Sequence, residues 1–149
     1  MAILWVMALP LLVLLFALLV DGGFLLWQRE VLRQAADLAA LAGAMEVDLE
    51  ALAGGRRAIV PLKAREQVEA YVAYNTAALP SGVEVLGVEV LVVNGSPEEP
   101  AYHPWWKVTV EDPIVSLRLE ARVTPFLLGR MVGPVSLRVE ADASVKAHR

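Results

Sequence analysis

Few residues in this chain have both the type and the spacing that chemistry requires. The sharpest is Asp21, a carboxylate inside the apolar run "ALLVDGGFLLWQRE" at 17–30. A carboxylate at mid-membrane depth is costly and is usually there for function. Two placements are open for it. At the membrane edge it costs little; buried between subunits it would meet a cation. Arg29 and Arg33 lie too far along the same helix to reach it, so a partner is expected on another chain or at an amino terminus. In a bundle of staggered copies, a neighbour's N-terminal amine would reach Asp21 after an axial shift of ~30 Å and so set the register.

The other polar candidates are weaker. His103 and His148 are far apart and near no carboxylates at metal-ligand spacing. Glu46, Asp48 and Glu50 alternate, which on a helix spreads them around the axis and into solvent. Pro104-Trp105-Trp106 offers a surface for stacking a ligand, but alternation along a strand would bury one indole and expose the other. Arg56 and Arg57, after two glycines, read as a solvated turn, with lipid headgroups or an acidic neighbour as the other use. No phosphate-cradling loop, nucleophile elbow or zinc-binding helix is present. With no cysteine there is neither a disulfide framework nor a thiolate metal site. The expectation is a protein without catalytic residues, cofactor or metal, and not an enzyme.

The elements that must position these residues follow from hydropathy. Of 149 residues, 57% are apolar, above the ~45–50% usual for soluble domains. Much of the excess lies before residue 29. The net charge of −4 gives no electrostatic footprint for nucleic acid. Residues 1–20 carry no charge, and ~20 helical residues span a ~30 Å hydrocarbon core. A cleaved signal peptide would show a basic start and a shorter apolar stretch. The run is therefore read as retained, with Met1 either an initiator or the residue left after loss of a basic leader. Trp27 and Arg29 read as an interfacial anchor. Residues 1–28 form the apolar transmembrane or filament-core segment, and 29–149 an exported α+β domain.

The spacing predicts one helix from near Ala2 to near Leu52, bending at Pro10 or Gly22 and capped at Gly54-Gly55. Its second half carries an apolar stripe at Val31, Ala35, Leu38, Ala42, Met45, Leu49 and Leu52. A second helix starts at Pro61, with Leu62, Val68, Tyr71, Val72 and Asn75 roughly on one side. The period then changes to two. "GVEVLGVEVLVV" shifts phase at Gly87, as a bulge would; "WWKVTVE", "IVSLRLEARVT" and "VSLRVEADASVK" follow. The last two read as neighbours, joined by "PFLLGRMVGP", unusually apolar for a loop. The fold class is α+β: a long N-terminal helix and a second helix on an antiparallel sheet of about four strands.

Residues 19–44, "LVDGGFLLWQREVLRQAADLAALAGA", resemble the TadE/TadG-like proteins of the Flp (Tad) pilus. The family pattern is an apolar helix, an aspartate followed by glycine, an aromatic with arginines, and then a Gln-x-Ala-Ala-Asp-x-Ala-Ala-Leu-Ala run. Here that run is Gln34 to Ala42, with the glutamine one residue closer to Ala35-Ala36-Asp37. The segments "AYNTAALP", "VTPFLLGRMVG" and "VEADASVKA" are similar too. Position 5 is Trp5, so the main type IV pilin signature with a glutamate there is not matched. The resemblance implies a pilin-like structural subunit of an exported filament or its assembly machinery. Membrane lipid would hold it in the inner membrane before assembly, and copies of itself, related pilins and the assembly platform would receive it at the cell surface. The assembly and packing candidates are Asp21, Gly22, Gly23, Ala36, Ala39, Ala40 and Gly43. Ala36/Ala40, Ala39/Gly43 and Ala40/Ala44 are spaced for close helix packing, against this chain's own sheet, another chain, or both. The competing reading is a membrane-tethered extracytoplasmic ligand-binding or sensor domain, with Trp105 and Trp106 as its surface contact.

Overall fold

The computed structural model describes residues 2–146, and side chains from Ala8 onward. Helix α1, Ala2–Ala44, runs unbroken through Pro10 and through Asp21-Gly22-Gly23. Good helix formers on both sides of the two glycines hold the turn that each glycine weakens by ~1 kcal/mol.

The helix stops at Ala44 rather than near Leu52, because Asp48 starts another. Asp48 Oδ1 accepts from the amides of Glu50 (2.9 Å) and Ala51 (3.1 Å), an N-cap for the short helix α2, Leu49–Ala53. Asp48 is thus a cap and not simply a solvated carboxylate. The chain then doubles back: Asp48 N donates to Ala58 O and Val60 N to Glu46 O, each at 2.9 Å. This brings Ile59 into the core. Arg57 also departs from a free turn, donating to Asp112 Oδ1 (3.3 Å) and Val145 O (3.0 Å).

Helix α3, Pro61–Thr76, buries Ala64, Val68 and Val72. Leu62 and Tyr71, expected beside them, are exposed. The expected stripe on α1 is corrected more sharply. Leu38, Met45, Leu49 and Leu52 are exposed, and the buried face is Leu32, Ala35, Ala36, Ala39, Ala40 and Ala44. Size decides between the two faces. A Cβ on Gly43 would lie 2.6 Å from Val68 Cγ2 and 3.2 Å from the Ala64 carbonyl oxygen. Only the small face lets α1 come that close to α3.

The main sheet has three antiparallel strands in the order β1 (Val83–Val93), β4 (Ile114–Val123), β5 (Val135–Ser144). β4 and β5 are neighbours as expected, with Val115 opposite Ala143 and Leu119 opposite Val139. The register between β1 and β4 slips between Val85 and Gly87, the anticipated bulge. Val115, Leu117, Leu119, Ala121 and Val123 are fully buried in the central strand. The first four face the layer formed by α1 and α3. The outer face is laced by ion pairs, including Arg118 with Glu140 at 2.7 Å. The "WWKVTVE" segment does not make a fourth strand. Lys107 takes φ 56 in a turn, and only Val108–Val110 (β3) pairs, with Ala101–His103 (β2), as a separate two-stranded ribbon.

Candidate functional site

Ala17, Asp21, Gln28 and Leu32 recur at helical spacing along one side of α1, and all four are buried. What covers Asp21 is the 124–134 link between β4 and β5. Its carboxylate Oδ1 accepts from Leu127 N at 2.9 Å and Oδ2 from Leu128 N at 2.7 Å. The partner sought on another chain or at an amino terminus is therefore supplied by two amides of this chain, more than a hundred residues away. Charge-assisted bonds to main-chain amides satisfy a carboxylate without any cation. Met1, the amine considered for that role, lies outside the described residues, as does His148.

The link is built to present those amides. Thr124 N donates to Gly82 O (2.8 Å), and the helical turn α4, Gly129–Val132, closes through Val132 N to Leu128 O (2.9 Å). Gly133, at φ 79, turns the chain back into β5. Leu127, Leu128 and Met131 then line an apolar groove of about 750 Å³ with Leu9, Pro10, Val13, Leu14, Phe16 and Ala17 of α1.

The remaining sequence candidates sort into two groups. Ala36, Ala39, Ala40 and Gly43 are turned inward onto this chain's own α3 and sheet. Gly22 and Gly23 are the opposite case: a Cβ at either would meet nothing within 4 Å. Trp27 is exposed and its ring centroid is 6.3 Å from that of Phe24; Arg29 is exposed beside them. From residue 9 to 19 every large apolar side chain is at least half exposed. By length and composition, α1 can cross a membrane.

Trp105 and Trp106 are neither a strand pair nor an open platform. They pack around His103, a fully buried residue that the sequence reading left without a role. Trp106 stacks on the imidazole at 4.0 Å and Trp105 meets it edge-on at 6.1 Å, while the Arg118 guanidinium lies 4.2 Å over Trp105. Trp106 N donates to His103 Nδ1 (3.3 Å), so Nε2 carries the proton of the neutral ring and faces Ser116 Oγ at 2.9 Å. Burial holds the His103 pKa below its ordinary value, against a raising contribution from the Asp142 charge and with a lowering one from Arg118. Nothing local in the sequence marks this pairing, since Ser116 sits in a different sheet from His103. Gln28 was missed as well. It is fully buried, and neither its Nε2 nor its Oε1 has a partner among the described residues. Among the described residues, no three His, Asp or Glu side chains gather as a metal site would need.

The helix that carries Asp21 also carries a likeness to a known family. Residues 1–46 match the family described as putative Flp pilus-assembly TadE/G-like. The likeness read from residues 19–44 is borne out, and the match supports a part in the Flp (Tad) pilus. No curated protein and no solved structure matches the chain. The TadE/G-like segment is α1 and the first residues after it, so the turn that caps Asp21, the sheet and the His103 cluster all lie outside the match.

Proposed function

We propose that this protein is a pilin-like structural subunit of a Tad-type filament or of the machinery that assembles it. The observation that carries the reading is a single unbroken helix with two environments. Residues 9–20 are apolar and largely exposed; its second half is the spine of a folded domain. An exposed apolar surface of that extent in water would aggregate or insert. Inner-membrane lipid covers it before assembly, and a bundle of α1 helices from copies or related pilins covers it in the filament. Residues 1–28 are the anchor, with Trp27 and Arg29 at the interface, and 29–149 the exported domain. Gly22 and Gly23 leave bare backbone on which a neighbouring helix can pack closely. The role is structural and not catalytic. The ligand-binding alternative rested on the small sheet and on the Trp pair, and both indoles pack against His103.

The test is made in the source cells. Surface filaments are sheared off, and the sheared and inner-membrane fractions are probed for the chain, with filaments counted by negative stain in cells with and without it. Its presence in the sheared filaments, or its retention in the membrane together with loss of filaments on deletion, is the expected result. Normal filaments that lack the chain, in undiminished number after deletion, overturn the proposal.

A further inference from the structure

Two residues suffice to join adjacent antiparallel strands, yet β4 and β5 are joined by the much longer 124–134 link. Most of its apolar side chains point outward. Phe126 is 77% exposed, Met131 80% and Val132 66%, and Leu127 is exposed as well. A link that only connected strands would carry polar residues here.

We propose that this link is a second membrane contact: it sits in the leaflet on the domain side, beside α1, with Asp21 as the internal cap that lets its backbone leave water. The inference rests on the anchor reading above. Three observations carry it, and the first is continuity. Leu127, Leu128 and Met131 line one groove with residues 9–17 of α1, the stretch that lipid must already cover. The exposed faces of the link and of the anchor therefore form one apolar surface, and lipid reaches the link before any protein partner does.

The second is backbone satisfaction. Irregular backbone is not tolerated next to hydrocarbon unless its polar groups are paired. Here Leu127 N and Leu128 N donate to Asp21, and Met131, Val132 and Gly133 donate within the turn. A carboxylate is an expensive way to pair two amides that water would serve equally well. It becomes necessary where water is absent.

The third is depth. Trp27 and Arg29 lie roughly 9–12 Å beyond Asp21 toward the domain, at ~1.5 Å per residue. With the indole at headgroup level, Asp21 and the link fall below that level. Counting ~20 residues back from Trp27 reaches Ala8, still inside the helix. Arg130 is the only charged residue of the link and is exposed. Its long stem can return the guanidinium to the lipid phosphates.

The chain has no cysteine, so single-cysteine variants carry one label each. Full-length Leu15→Cys, Phe126→Cys, Met131→Cys and Leu62→Cys proteins are labelled with an environment-sensitive fluorophore. They are reconstituted at low density in phosphatidylcholine/phosphatidylglycerol vesicles that contain lipids bearing a nitroxide at a shallow acyl position. Circular dichroism checks each fold. The expected result is quenching of the 126 and 131 labels comparable to that at 15, and several-fold above that at 62, an exposed leucine of α3. If the 15 label is quenched while 126 and 131 behave like 62, the link stays out of lipid and the proposal falls, with the anchor reading intact. If the 15 label is not quenched either, the anchor reading fails and takes this one with it. Quenching at 126 and 131 only by a nitroxide-labelled second copy of the chain would make the surface a subunit contact and overturn the proposal.

Discussion

Residues 9–20 and 32–44 of α1 have the same backbone geometry and opposite side-chain economies. The first stretch carries leucines, valines and a phenylalanine and leaves nearly all of them exposed; the second carries mainly alanines and a glycine on its packed face and buries them. Small residues bring backbones together, so the second stretch has found its partners within the chain: α3 and the sheet. Large residues hold a neighbour at side-chain distance and suit lipid or a bundle of like helices. The contrast separates stability from assembly. Damage to the small-residue half should unfold the domain, whereas damage to the large-residue half should leave the domain folded and unable to be stored or assembled.

The largest effect is expected at Gly43. Leucine there would drive its Cβ into Val68 and the Ala64 carbonyl. Overpacking of a filled core costs typically 1–3 kcal/mol and occasionally more, and this site, with backbone on one side, belongs at the upper end. Leu15→Ala, in the exposed half, should move the denaturation midpoint in detergent by less than ~0.5 kcal/mol. Equal losses at the two positions would break the comparison.

The two halves meet at Asp21, where Asp21→Ala removes the acceptor of both link amides. Hydrogen exchange should rise by about tenfold or more at Leu127 and Leu128, while the amides of central strand β4 keep their protection. Unchanged exchange at 127 and 128 would mean that the link does not depend on α1.

Gln28 lies one turn before the buried Leu32 and has two unpaired polar groups. An unsatisfied buried amide costs about 1–3 kcal/mol, and an apolar side chain of the same shape avoids that cost. Gln28→Met should therefore raise stability by about 1–2 kcal/mol, read from the denaturant midpoint at unchanged slope. A loss of stability would show that the amide is paired in the folded protein, and the boundary between the halves would have to move.

The sequence made some of this legible and hid the rest for physical reasons. Continuity through Gly22, the pairing of β4 with β5 and the bulge near Gly87 were visible because each is written in a local period. The apolar stripe on α1 was misread because hydropathy favours Leu38, Met45 and Leu49, whereas close approach favours Ala36, Ala39 and Ala40, which their small-residue spacing did mark. Asp21 stood out by type, but its partners are main-chain amides in the link, which no residue identity marks. The apolar character of "PFLLGRMVGP" was the available signal for the surface beside Asp21. His103 was hidden because its partners come from a turn and from a strand of another sheet.

A pH titration sharpens the contrast from the domain side. The folded state holds His103 neutral, with its pKa lowered by burial. The unfolded chain takes up that proton near pH ~6.5, so below that pH it binds more protons than the folded chain. This contribution to stability is fully present above ~6.5 and is lost as pH falls toward the lowered folded value, below which it changes no further. Melting curves from about pH 7.5 to about pH 5.5 should show the decline in wild type and a smaller one in His103→Gln. The exchange of Leu127 and Leu128 should follow neither, since His103 lies in the β2–β3 ribbon and not beside α1.

A smaller effect again than at Gln28 is expected at Gly23, and it bears most directly on assembly. A Cβ there meets nothing within 4 Å among the described residues. Gly23→Ala should therefore leave every contact intact and stabilise the helix by up to ~1 kcal/mol, the difference in helix propensity. If α1 packs only against its own domain and lipid, that gain is the whole effect, and filaments form as before. If the bare backbone at 22–23 receives a neighbouring helix, one methyl group forces the helices apart. Filament yield then falls while the isolated subunit is as stable as wild type or more so. The opposite signs of the two readouts are the diagnostic. A Gly23→Ala protein that is less stable in isolation would show that these glycines serve the chain's own fold, and the exposed half would no longer be separable from the buried one.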